Sequence, residues 1–157
     1  MSFQIIPVPD DEHITGTLAM WSITEWGADF PDDTIDTYRD LYRASCDSSS
    51  GRPRVFVAVD DTGKPIGTVT FIDDDELPDA IEPGPWLAAL FVTQDRRGEG
   101  VGQALVEAVV THARHLHIQD LYLYTADQVE WYSRMGWRVV RTSQLSGRVV
   151  TVMTYKL

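Results

Sequence analysis

The sequence is short of the residues that would tie it to several common functions. It has one cysteine, Cys46, so no disulfide can form within the chain and a cysteine-rich zinc site lacks its ligands. No apolar run approaches the roughly 20 residues of a membrane span. The start, "MSFQIIPVPDDEH", has neither the basic opening nor the long apolar stretch of a secretory leader, so a cytoplasmic protein with no membrane partner is expected. Repeats, low-complexity tracts and linkers are missing as well, and residues 1–157 are expected to form one domain. Bases are scarce: 13 Lys and Arg stand against 24 Asp and Glu, a net charge of −11 that argues against nucleic acid as a partner.

That scarcity is local. Residues 1–95 hold 19 acids and 5 bases, net −14, whereas residues 96–157 hold 5 acids and 8 bases, net +3. A chain that meets one cationic and one anionic ligand would be built this way. A merely solubilising acidic surface would give the same count.

Hydrophobic periodicity predicts a mixed α/β chain with a strand–helix–strand core. "SFQIIPV" suits a short strand over residues 2–8, ended by Pro7 and Pro9. Asp10 or Asp11 can cap a helix to about residue 27, and a second helix is expected from about 33 to 45. A hairpin comes next, "VFVAVD" and "PIGTVTFID" about the turn "DTGK". The acidic loop "DDDELPDAIEPGP" leads into "WLAALFVT" (86–93), apolar on both faces and so expected as a central strand. A helix from about 100 to 116 should bury Val101, Leu105, Ala108, Val109 and His112. After it come a strand at 121–125, a helix at 127–135 capped by Asp127, and strands at 137–142 and 148–157. His112, His115 and His117 share one helix without carboxylates at metal spacing, so no metal is expected.

The junction "RRGEGVG" carries the chemistry. A P-loop needs GxxxxGK with a Ser or Thr directly after it, and no lysine comes after these glycines. A dinucleotide fingerprint needs GxGxxG on the first strand–helix turn of a larger sheet. Here Gly98, Gly100 and Gly102 give GxGxG late in the chain, although Asp120 lies 20 residues beyond Gly100. What remains is a diphosphate loop of another geometry. Glycines let backbone N–H groups approach phosphate oxygens, a helix start adds unpaired donors and partial positive charge, and Arg96 and Arg97 add full charges.

"LAALFVTQDRRGEGVGQALVEAV" resembles the acyl-CoA signature of the GNAT superfamily of N-acetyltransferases, Gln/Arg-x-x-Gly-x-Gly/Ala, with Arg97, Gly100 and Gly102 matching it. "VEWYSRMGW" resembles that superfamily's later motif through Trp131, Tyr132, Gly136 and Trp137. The resemblance implies an α/β (α+β) GNAT-like fold, a central mixed, splayed sheet of about seven strands with about four helices. The strands at 86–93 and 121–125 would part, with acetyl-CoA as co-substrate in the gap. Pantetheine amides would pair with the backbone of Leu90, Phe91 and Val92, and the diphosphate would sit on amides of Arg97, Gly98, Glu99, Gly100, Val101 and Gly102. A homodimer is also a possibility that the resemblance raises.

The same resemblance implies acetyl transfer to a small-molecule or peptide amine. A lysine-like amine, with pKa about 10.4, must lose a proton before it attacks, and a thiolate of pKa about 8.5 must be stabilised as it leaves. Tyr132 is the residue implied as general acid, with a backbone N–H, at Val92, polarising the thioester carbonyl. Many relatives place a glutamate near the start of the strand before the loop, where this chain has Gly84 and Pro85. Glu82 is the nearest carboxylate, with Asp79 and Asp73 to Asp75 behind it; a base relayed through water fits equally. The helices before residue 47 would form the acceptor wall, and their acids with those at 73–82 favour a cationic acceptor: a polyamine, an aminoglycoside-like amine or a peptide amine. Transfer of a longer acyl group, or a CoA-binding module without turnover, would use the same loop.

Overall fold

Period-two alternation in "RVFVAVD" sets the layers of the molecule. In the computed structural model, which describes residues 2–157, this segment is strand β2 (Arg54–Asp60), coming after β1 (Phe3–Pro7), α1 (Glu12–Trp26) and α2 (Ile35–Asp47). Val55, Val57 and Val59 point to one face and pack with Leu18, Ala19 and Tyr42 of α1 and α2. Ala58 points to the other face and joins a larger cluster built on α3 (Val101–His115). The remaining elements are β3 (Pro65–Ile72), β4 (Trp86–Val92), a 3-10 turn (Gln94–Arg96), β5 (Asp120–Thr125), α4 (Val129–Arg134), β6 (Arg138–Leu145) and β7 (Arg148–Lys156). All seven strands form one sheet in the order β1-β2-β3-β4-β5-β7-β6. Every pairing is antiparallel except that of β4 with β5.

Several local expectations shift. Asp11 does cap α1, accepting from the N–H groups of His13 and Ile14, but α2 starts later than expected, at Ile35, because Thr34 and Thr37 form a reciprocal capping pair there. α4 has no side-chain cap; Asp127 stands free of that role, and Thr125 Oγ1 instead accepts the Gln128 N–H at 3.1 Å. β6 runs three residues beyond the expected 142 because Ser143, Gln144 and Leu145 pair with β7. The buried stripe of α3 is Val101, Leu105, Val106, Val109, Val110 and Ala113, so Ala108 and His112 fall at its edge.

Two irregularities in β4 open the sheet. Against β3, Thr68 pairs with Phe91 and Thr70 with Ala88, so β4 carries one extra residue there, and Ala89 takes a φ of 54°. Against β5, the only ladder pair is Trp86 with Tyr122, beside the bond from Tyr122 N–H to the Pro85 carbonyl. Beyond that point the two strands part. The Thr93 N–H bonds to Ile66 on β3, so alternation turns the N–H and C=O of Val92 the other way, into the gap.

His112 fastens the loop before β2 to α3. Its ring stands edge-on to Phe56 and Phe71, with centroids 5.7 and 5.2 Å away, and Nε2–H donates to the Gly51 carbonyl at 2.8 Å. Burial, then Arg54 and His115, hold its pKa below the usual imidazole value, opposed by the bond to Gly51. Between the lowered folded value and about 6.5 only the unfolded chain binds the proton, so stability is complete above about 6.5 and is lost as pH falls through the folded value. In urea denaturation, the stability advantage of wild type over His112→Gln should therefore shrink between pH 7.5 and 5.5, by at most about 1.4 kcal/mol per unit crossed. A constant difference across that range would show that the imidazole does not titrate with unfolding.

Candidate active site

The gap between β4 and β5 opens into a cleft of about 990 Å³ that continues under α1, α2 and the β3–β4 loop. One end is rich in hydrogen-bond donors. Leu90, Phe91 and Val92 line it with Arg97, Gly98, Gly100, Val101 and Gly102. The backbone N–H groups from Gly98 to Gln103 bond to no carbonyl in the protein, and no side chain caps α3. Six consecutive unpaired donors at the cleft, with the partial positive charge of the helix start, form a cradle suited to an anion.

The three glycines do different things. Gly98 and Gly100 have φ of 79° and 86°, and a Cβ on either would meet nothing within 4 Å. They are required by the turn and leave its mouth open. Gly102 has ordinary helical geometry, but a Cβ there would lie 3.3 Å from the Trp131 ring. Its absence lets α4, and with it Tyr132, approach α3.

The paired arginines separate in the same way. Arg97 is exposed; its Nε donates to the Val92 carbonyl at 3.0 Å and its guanidinium lies 5.9 Å over the Phe91 ring. Its outer nitrogens stay free at the donor-rich end. Arg96 turns inward and is 5% exposed, with Nε 3.1 Å from Glu99 and Nη1 3.9 Å from Asp60. It braces the loop against the β2–β3 hairpin, and Glu99 is turned to it, which leaves only the Glu99 backbone for a ligand.

Tyr132 is buried on the cleft wall between Trp131 and Trp137, with centroids 4.9 and 5.9 Å away. Its hydroxyl has no hydrogen-bond partner among the described residues. Burial, with Asp127 adding to it, pushes its pKa well above that of an ordinary phenol, so the group stays protonated at neutral pH.

The other end of the cleft is acidic. Glu25, Asp29 and Asp33 approach from the α1–α2 side, and Asp74, Asp75 and Glu76 from the β3–β4 loop. Asp29 is paired with Arg148 at 2.8 Å; Asp74, Asp75 and Glu76 have no cationic partner among the described residues. Burial, then Glu76 and Asp74, push the Asp75 carboxyl well above the usual range. Burial, Asp33 and Asp74 raise Glu76. Tyr124 donates to the Asp75 carbonyl at 3.2 Å, and its own pKa is raised by burial and by Asp75.

Glu82 is not among these. Its carboxylate takes both prongs of the Arg141 fork, from Nε at 2.8 Å and Nη2 at 2.9 Å, and Arg141 holds its pKa below the usual range. It lies outside the residues that line the cleft. Sequence reasoning set Asp74 and Asp75 behind Glu82 and singled out neither Glu76 nor Asp33, although the charge deficit of residues 1–95 was a signal for all four. What the deficit could not show is which acids keep a partner. Among the described residues no three His, Cys, Asp or Glu side chains converge to hold a metal ion, and no helix is long and apolar enough to cross a membrane.

Comparison with known proteins agrees with this architecture. A GNAT family acetyltransferase from Staphylococcus aureus Mu50 superposes with a TM-score of 0.71 at 18% identity, over 99% of both chains. An aminoglycoside 6′-acetyltransferase type Ii gives 0.75 at 17% identity, over 98% of this chain and 96% of that one. In a structure of the NatC complex bound to Gag peptide and CoA, a chain gives 0.77 at 17% identity, over 100% of this chain and 99% of that one. These likenesses establish the fold. No curated protein matches the sequence. The sequence model described as the Acetyltransferase (GNAT) family, however, matches residues 6–137, from β1 through the tryptophan beside Tyr132. With the splayed sheet and the glycine loop in place, that match assigns the lineage: the chain belongs to the GNAT acetyltransferase family.

Proposed function

We propose that this acetyltransferase moves the acetyl group of acetyl-CoA directly to an amine whose carrier bears a further positive charge. The observation that carries the reading is the polarity of one cleft, with six amides that meet no carbonyl at one end and, at the other, the carboxylates of Asp74, Asp75 and Glu76, which meet no cation among the described residues. The amides of Gly98 to Gln103 suit a diphosphate, with Arg97 adding charge from outside. Leu90, Phe91 and Val92 offer strand edge to the pantetheine arm, and the Val92 N–H, turned into the gap, suits the thioester oxygen on which negative charge develops.

The acids pull in two directions. They attract an ammonium, yet they also stabilise it, which makes the reacting nitrogen harder to deprotonate. An acceptor with two amino groups escapes this conflict: the acids hold one as a cation while the other reacts. Polyamines, aminoglycosides and lysine-bearing peptides all have this form, and among proteins of the same fold are an aminoglycoside acetyltransferase and a complex bound to peptide. Asp75 is the better proton acceptor than Glu82, because its raised pKa leaves it basic whereas Arg141 makes Glu82 a weaker base. Tyr132 serves the departing sulfur. Its pKa exceeds that of a thiol, about 8.5, by more than the roughly 1.5 units of a free phenol, so complete proton transfer is uphill. A strong hydrogen bond to the sulfur is the contribution it can make.

Three measurements test these assignments. In a thermal melt, acetyl-CoA at 100 times its dissociation constant should stabilise wild type by about 2.7 kcal/mol. Gly100→Glu, whose side chain meets no neighbour but whose φ of 86° strains any residue other than glycine, should melt lower without ligand and show no such shift; equal shifts in the two proteins would remove the loop from the binding site. Free thiol released from acetyl-CoA should depend on an added amine, with spermidine or kanamycin exceeding butylamine, and Tyr132→Phe should lower kcat by about 10²-fold with little change in melting. Wild-type turnover in Tyr132→Phe would end the leaving-group role. Finally, kcat/KM should fall on the acid side as Asp75 becomes protonated, at a pH above the ordinary carboxylate value, and Asp75→Asn should abolish that limb along with most of the rate. An unchanged limb in Asp75→Asn would place the base elsewhere.

A further inference from the structure

The six acids of the β3–β4 loop fall into two groups. Asp73, Asp79 and Glu82 each bind an arginine: Arg52 Nε donates to Asp73 at 2.8 Å, and Arg141 takes both Asp79 and Glu82. Asp74, Asp75 and Glu76 bind none and line the cleft. The anchored acids flank the free ones along the chain. The loop also closes on itself at its neck, since a Cβ at Gly84 would lie 2.7 Å from the Asp73 carbonyl oxygen. It is a compact unit hung from the sheet, and the groups that hold it decide where the free carboxylates stand.

Most of that hold comes from β6, the last strand of the sheet. Against β7, Val139 pairs with Met153 and Arg141 with Val152, so β6 contains one extra residue, Val140, directly before Arg141. One inserted residue reverses the faces of every later residue in the strand. The result is a strip of alternate residues, Arg141, Ser143 and Leu145, turned toward the loop. Arg141 binds Glu82 through two bonds and Asp79 through Nη1 at 3.2 Å and, from Nη2, its carbonyl at 3.3 Å. Ser143 Oγ donates to the other Asp79 oxygen at 2.6 Å. Leu145 packs in the same buried cluster as Leu77, the apolar residue next to Glu76 in sequence. The Glu82 side chain is 6% exposed, so its charge has little recourse to water if Arg141 is lost.

We infer that Arg141 is a positioning residue for the acceptor: through Asp79 and Glu82 it sets the stance of Asp74, Asp75 and Glu76, and so governs the affinity for a cationic amine without touching it. This rests on the reading of the acidic end as the acceptor site. The Val140 bulge aims the anchor, and a lysine could supply the charge but not the fork that grips two carboxylates at once.

The test compares wild type with Arg141→Gln, Arg141→Lys and Ser143→Ala, using whichever of spermidine, kanamycin and a Lys-Lys dipeptide wild type acetylates fastest. Arg141→Gln should raise KM for that amine about tenfold, lower kcat as well because Asp75 shifts with the loop, and leave KM for acetyl-CoA unchanged. Arg141→Lys should recover part of the loss, and Ser143→Ala, the mildest change, should move KM in the same direction. Amide hydrogen exchange should quicken across residues 73–82 in Arg141→Gln and not in α3. Unchanged KM for the amine in a folded Arg141→Gln overturns the inference, as does an equal loss for both substrates. If wild type acetylates none of the three amines, the cationic-acceptor reading fails first and this inference falls with it.

Discussion

A sheet interior leaves no backbone group without a partner, and this sheet breaks that rule at one place. After Trp86 and Tyr122, β4 and β5 no longer share a ladder, and the edges of two central strands face each other across an open gap. Such edges must be filled by something that offers donors and acceptors in a line. Around the gap the chain gathers further groups without a partner: the six amides at the start of α3, the Tyr132 hydroxyl and the Val92 N–H. The rest of the molecule keeps the gap open. The β4 bulge bends that strand, α3 packs beneath it through Leu105 and Val109, and β5 is held from the far side by its full register with β7.

Charge is divided along the same line. The chain is strongly acidic, yet within the cleft Arg96 and Arg97 stand beside the glycine loop while Asp74, Asp75 and Glu76, which meet no cation among the described residues, stand at the opposite end. Several other acids are partnered: Asp60 caps its own turn through Thr62 and Lys64, Asp29 meets Arg148, and Glu82 meets Arg141. Holding these carboxyls away from water without a cation is unfavourable to their charge: burial first, and neighbouring acids after it, raise the pKa of Asp75 and Glu76.

Much of this was legible in the sequence because it depends on local rules. Alternation marked β2 and β3, Asp11 marked the start of α1, and the glycines with the strand before them marked the cradle. The two motif stretches carried the fold through family resemblance. What was not legible depends on partners distant in the chain. Nothing near Arg96 reveals Asp60, on the β2–β3 hairpin, toward which it turns inward while its neighbour Arg97 stays out. Nothing near Glu82 reveals Arg141, 59 residues later, which changes a plausible base into an anchored carboxylate. Gly102 reads from the sequence as a third phosphate glycine, and nothing near it reveals that it also leaves room for the Trp131 ring. In each case composition named the residue type and only three-dimensional neighbours assigned its work.

The narrow neck of the β3–β4 loop has a consequence for how such a protein can diverge. Asp73 and Gly84 lie against one another, so the segment between them begins and ends at nearly the same point on the sheet. Insertions, deletions and exchanges of charge within it leave the strand register on either side intact, and longer connections cost little in chain entropy. The glycine cradle has no such freedom, since its turn, its helix and the Trp131 contact constrain each other. On the proposed reading, a lineage built on this plan can trade one acceptor for another by rewriting a dozen or so residues without disturbing the end assigned to the acyl donor.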